Sequence, residues 1–149
     1  MSHVYILGGY QTDFAINYHK QNKTFVDVMK ETVQGTLEAA SVGAADIERA
    51  HVANFMGELM FGQGHLNAFF LEADPAFDGL PTSRHEAACA SGSVAMLGAM
   101  AEIEAGRYDC VCVLGVEMEK CLPSSETAKQ LGAAAWGERE CEGVAYPWP

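Results

Sequence analysis

Five cysteines and five histidines are the residues of this 149-residue chain best suited to nucleophilic or proton-transfer chemistry. One cysteine has an instructive neighbourhood: Cys89 stands in Glu86-Ala87-Ala88-Cys89-Ala90-Ser91-Gly92-Ser93-Val94-Ala95. Residues 81–88 can run extended. From about Ala90 onward, Val94, Leu97, Ala101 and Ala105 recur three or four apart, which is helical spacing. Gly106 then stands where a helix takes its left-handed terminator. Cys89 therefore falls at the hinge between a strand and the first turn of a helix. Helix N-termini carry unpaired backbone N–H groups and a partial positive charge, which favour a thiolate over a thiol. The small neighbours Ala87, Ala88, Ala90 and Gly92 leave room for a substrate to reach the sulfur. The same N–H groups can hold an oxyanion on an attacked carbonyl. The competing reading is a buried core cysteine, since free cysteines pack as small hydrophobes and a lone cysteine is only a candidate.

The other reactive types are placed less favourably. His85 is the histidine nearest Cys89 in sequence, but four extended steps put their backbones roughly 13 Å apart, too far for a Cys–His pair. It is read as a strand residue, and His51 and His65 as structural or surface groups. Cys110 and Cys112 alternate with valines, so both sulfurs share one strand face and fill a core. Cys121 and Cys141 carry no motif. No metal-ligand spacing is present, and no metal or bound cofactor is expected.

Around these residues the chain alternates strands and helices. Residues 3–8 read as a first strand ending at Gly8-Gly9, a turn signal without the dinucleotide-binding pattern. Thr24 and Asp27 mark a helix start, with Val26, Met29, Val33, Leu37 and Ala40 on one face and Gly43 at its end. Asp46-Ile47-Glu48 adds a turn. A second strand is expected over 51–56 and a short helix over 65–73, stopped by Asp74-Pro75. Asp78-Gly79-Leu80-Pro81 turns into the third strand. Residues 110–114 form an uninterrupted apolar run, as in a parallel strand covered on both faces. The fold class is α/β. A further short helix is expected over 125–131.

Composition narrows the partners. Hydrophobic residues make up 49%, enough for a globular core. A net charge of −11 argues against nucleic acid and anionic membrane surfaces. There is no apolar run of membrane-spanning length and no basic leader at Met1-Ser2-His3. Five cysteines without a disulfide framework suit a reducing cytoplasm.

The segment from Glu86 to Ala95 resembles the nucleophile segment of the thiolase superfamily. Val4-Tyr5-Ile6-Leu7-Gly8-Gly9-Tyr10-Gln11-Thr12-Asp13-Phe14 resembles that family's opening strand and turn. Val113-Leu114-Gly115-Val116-Glu117-Met118-Glu119 resembles its Gly-x-Glu-x-Met segment, although a strand-end turn is enough to explain Glu117 and Met118. The resemblance points to the acetyl-CoA acetyltransferase and lipid-transfer-protein types, N-terminal portion only. It implies the N-terminal half of a layered α-β-α fold, with an incomplete domain over 1–119 and the start of a loop insertion over 120–149.

The implied activity is acyl transfer between coenzyme A thioesters through an acyl group on Cys89, as part of lipid metabolism. A decarboxylating ketoacyl synthase shares fold and cysteine, and a non-catalytic fragment or subunit is the other alternative. A cysteine hydrolase would need an elbow motif that is absent. The family's histidine and cysteine acid/base motifs belong to a C-terminal half, so no acid/base or coenzyme A-binding residue is assigned. The resemblance also implies a homodimer through the strand at 82–87, with Thr82 at its start and Ala87 at its end. The small-residue helix after Cys89 would then lie against a second half of the fold, and that face needs a partner chain or segment.

Overall fold

The computed structural model describes residues 3–143. Its first helix, α1 (Phe25–Ala40), starts where Thr24 and Asp27 exchange hydrogen bonds: Asp27 N–H donates to Thr24 Oγ1, and Thr24 N–H to the Asp27 carboxylate. These bonds hold the Asp27 carboxyl below its usual range. The buried face is Phe25, Val28, Met29 and Val33, rotated from the expected stripe because Phe25 and Val28 outweigh Val26 and Ala40. The helix ends at left-handed Ser41, two residues before Gly43, which instead opens a 3-10 turn over Ala44–Asp46.

Strand β1 (Arg49–Ala53) follows, then a short helix α2 (Gly57–Phe61) and a 3-10 helix (Leu66–Ala73). Asp74 caps another 3-10 turn, Pro75–Phe77. Strand β2 (Thr82–His85) leads through a loop to α3 (Ser91–Glu104), which runs to strand β3 (Val111–Gly115). Gly106 sits just beyond α3 with φ 69°, as its position requires. The helices α4 (Ser124–Leu131) and α5 (Gly137–Glu140) come last. Residues 144–149, including the Tyr146-Pro147-Trp148-Pro149 end, lie outside the described residues, as do Met1 and Ser2.

The three strands form one parallel sheet in the order β2-β1-β3. This is α/β architecture, with β1 in the centre. Its alternation sorts the two faces. Ala50 and Val52 join the apolar core with Met29 and Val33 of α1 and with Leu66, Phe70 and Phe77. Burying each such large side chain stabilises the fold by about 1.5–3 kcal/mol. Arg49 and His51 point to the opposite face, where both reach Glu102 of α3.

The expected first strand is corrected. Among the described residues, 3–8 form no strand, and Tyr5, Ile6 and Leu7 remain exposed. The apolar pattern is present, but a strand exists only where an edge pairs with it, and no described edge does. Strand β1 also begins two residues earlier than expected, because Glu48 and Arg49 pair with the start of β3.

Helix α3 shows two different faces. Ala95 and Ala99 are buried against the sheet. Val94, Met96, Leu97 and Met100 are exposed on the other side. Residues after β3 are tied back to the 10–19 loop: Asn17 Nδ2 donates to the Lys120 carbonyl at 2.8 Å, and Lys120 Nζ to the Phe14 carbonyl. No helix among the described residues is long and apolar enough to cross a membrane.

Candidate active site

Cys89 lies in the loop between β2 and α3 and is exposed. The residue before it, Ala88, is left-handed at φ 47°. That conformation costs an L-residue about 1–2 kcal/mol and needs local support. Ser91, itself buried, supplies it. Its hydroxyl accepts from Ala87 N–H at 2.9 Å and donates to the Ala88 carbonyl at 2.6 Å. Glu86 accepts from Ala88 N–H. The bonds Ala90 N–H to Ala87 O (2.9 Å) and Ser91 N–H to Ala88 O (3.1 Å) close the turn.

This arrangement changes which donors are free. The N–H groups of Ala87, Ala88, Ala90 and Ser91 are used within the loop. Those of Cys89, Gly92 and Ser93 have no partner among the described residues. An oxyanion beside the sulfur would therefore meet a smaller donor set than the whole first turn of α3.

Cys89 and Gly92 open onto a cleft of about 690 Å³. The 10–19 loop forms one wall, and the segment after β3, with Glu117 and Met118, forms another. Such a volume suits the reacting end of a small-molecule substrate.

Glu117 has a larger part than a strand-end turn. Its carboxylate accepts from Phe55 N–H at 2.5 Å, from Met56 N–H at 3.1 Å and from Asn54 Nδ2 at 3.0 Å. Burial pushes its carboxyl up to about 6, although the Phe55 and Met56 N–H bonds pull the other way. Asn54, fully buried, also donates to the Val116 carbonyl at 2.7 Å and accepts from Gly57 N–H at 3.0 Å. Asn54 and Glu117 thus lock the ends of β1 and β3 together beneath the cleft. Asn54 was not singled out from sequence; its signal was an amide side chain at a strand end, three residues before a helix-opening glycine.

The histidines also group differently from expectation. His51 is buried, the structural rather than the surface alternative. Its Nδ1 lies 2.7 Å from His85 Nε2, and its Nε2 lies 2.9 Å from Glu102 Oε2. Ser83 Oγ lies 3.0 Å from His85 Nε2. His85 is thus engaged with His51, and no hydrogen bond joins it to Cys89. Cys112 is buried in the core, which pushes its thiol up to about 12, and Cys110 packs against the same cluster with its thiol raised by burial and by Asp46 and Glu48. No group of three or more potential metal ligands occurs among the described residues.

A parallel strand, a strained turn bearing an exposed cysteine, and a helix behind it mark the chain as an α/β domain that presents a thiol at that turn. Comparison with known proteins makes the class specific. Residues 4–147 match the family model described as "Thiolase, N-terminal domain", and the chain belongs to that family. It is 32% identical over 149 residues to the acetyl-CoA acetyltransferase of Methanothermobacter thermautotrophicus, covering 99% of this chain and 37% of that protein. It is 34% identical over 117 residues to the acetyl-CoA acetyltransferase of Methanocaldococcus jannaschii, covering 78% of this chain and 29% of that protein. The chain therefore spans about a third of the length of the curated relatives it matches.

Proposed function

We propose that this chain carries the nucleophile of a thiolase-type acyltransferase that uses coenzyme A thioesters. The observation that carries the reading is the exposed Cys89 on its pinned turn, opening onto the cleft, in a chain of the thiolase N-terminal family. In the proposed step the Cys89 sulfur attacks the thioester carbonyl. The new S–C bond forms, the carbonyl oxygen takes the negative charge, and the free N–H groups beside it receive that charge. The intermediate then collapses by breaking the bond to the coenzyme A sulfur. Coenzyme A leaves with a proton, and the acyl group stays on Cys89.

Turnover asks for acid/base groups that the described residues do not set beside Cys89. In this reading they come from another segment or another chain. The same partner would cover Val94, Met96, Leu97 and Met100 on the outer face of α3. The proposed organisation is an incomplete α/β domain over 1–119 with the start of an insertion over 120–149, paired as a homodimer through β2, which lies at one edge of the sheet. Five unpaired cysteines fit the reducing cytoplasm as its location.

Prior incubation with acetyl-CoA should protect Cys89, and leave Cys110 unchanged, when the protein is then treated with iodoacetamide and mapped by peptide mass. Equal labelling of Cys89 with and without acetyl-CoA would overturn the assignment.

A further inference from the structure

Beneath the Cys89 loop lies a polar cluster that the proposed acyl transfer does not use. His51 stands on the central strand, His85 on the edge strand and Glu102 on α3. His51 bridges the other two, at 2.7 Å and 2.9 Å. Arg49 Nε lies 3.2 Å from the same Glu102 oxygen. The sequence makes space for this cluster at Gly98. A Cβ there would lie 3.3 Å from His85 Cε1 and 3.4 Å from His51 Nδ1. Glycine inside a helix costs about 1 kcal/mol against alanine. Gly98 and Glu102 are one helical turn apart, so one face of α3 both admits the imidazole pair and accepts from it.

We propose that His51, His85 and Glu102 act as positioning residues for Cys89, forming a clamp that closes only while the imidazole pair holds no more than one excess proton. His85 ends β2, and Glu102 lies on the helix that begins just after Cys89. The clamp therefore ties together both sides of the loop that presents the sulfur. One imidazolium is compatible with it: His51 can donate from both nitrogens, to Glu102 and to His85. A second proton sets N–H against N–H across 2.7 Å, and the link between the strands opens. The groups facing the pair are Arg49 from β1, Ser83 from β2, Val113 from β3, and Glu102 from α3. Burial, the His51 charge and Arg49 together depress the His85 imidazole below its ordinary value, against the pull of Glu102. A depressed base contributes stability above its unfolded value and loses it as pH falls through the folded one. The clamp is accordingly closed at neutral pH and opens in mild acid. This holds whatever acyl chemistry Cys89 performs.

Hydrogen exchange of the full chain tests it. After correction for intrinsic exchange, residues 86–92 should exchange about tenfold faster at pH 5 than at pH 7.5. In His85→Gln the amide can still bond His51 but cannot take a proton, so the acid-induced rise should vanish. Ring titration of the unsubstituted protein by NMR is the second readout, and it requires no variant to fold. The His85 imidazole should protonate below its ordinary value, and the contact with His51 should be lost in the same step. Protection unchanged between pH 7.5 and pH 5, a His85→Gln variant retaining the rise, or a His85 ring titrating at the ordinary value would each overturn the proposal.

Discussion

Ser91 Oγ donates to the Ala88 carbonyl at 2.6 Å, and this bond holds the left-handed residue that sets the direction of Cys89. Replacing Ser91 by alanine removes the hydroxyl and strands the Ala87 N–H in a partly buried turn. The expected loss is about 1–3 kcal/mol of stability in thermal or urea unfolding. Ala88→Gly should do the opposite. Relief of the left-handed strain, about 1–2 kcal/mol, exceeds the added entropy of glycine, about 0.5–1 kcal/mol. A destabilised Ala88→Gly variant would count against the strained turn.

Thiol reactivity should separate the cysteines sharply. Cys89 is exposed, whereas Cys112 is buried and its thiol is raised to about 12. Limited alkylation at neutral pH should mark Cys89 before Cys110 or Cys112. Equal or preferential labelling of the strand-face pair would contradict the exposed nucleophile.

What could be read from sequence was local. The Thr24–Asp27 cap involves residues three apart, and it defines the start of α1. The strand-to-helix placement of Cys89 followed from helical spacing and a terminal glycine. The misses were non-local. Residues 3–8 have a strand's apolar character but no described edge to pair with, so composition alone misassigned them. His51 and His85 looked unremarkable because their partners lie 34 and 51 positions away in sequence. Period-two alternation in β1 already placed His51 on the Arg49 face, away from Ala50 and Val52. Gly98, in the middle of α3, was a sequence signal that something approaches the helix closely there. Glu117 was legible as a strand-end residue, but its three backbone and side-chain donors come from the end of β1, and only the parallel pairing of β1 with β3 brings them there.

The Glu117 carboxyl gives a pH signature. Its folded value, about 6, lies above the ordinary 4.5, so the folded state holds its proton more tightly than the unfolded state does. The stabilisation is complete below pH 4.5 and is lost as pH rises through about 6. The wild type should therefore lose stability relative to Glu117→Gln between pH 4.5 and pH 7. Urea unfolding of both proteins across that range reads the difference directly. A wild type that instead gains on Glu117→Gln with rising pH would reverse the assignment of burial as the dominant influence.

Among the described residues strand β2 has an open edge next to the Cys89 loop, and an unpaired edge of this kind invites another strand. Light scattering at micromolar concentration should give a dimer, with Thr82–His85 amides protected from exchange. A monomer under those conditions would refute pairing through β2.

The central claim is that Cys89 accepts the acyl group, and intact mass after exposure to acetyl-CoA tests it most directly. The account predicts one acetyl group per chain, mapped to Cys89, with one equivalent of coenzyme A released slowly and no sustained turnover by the 149-residue chain alone. Acetylation at another residue, no acetylation of Cys89, or continuous Cys89-dependent release of coenzyme A without any partner chain would contradict it.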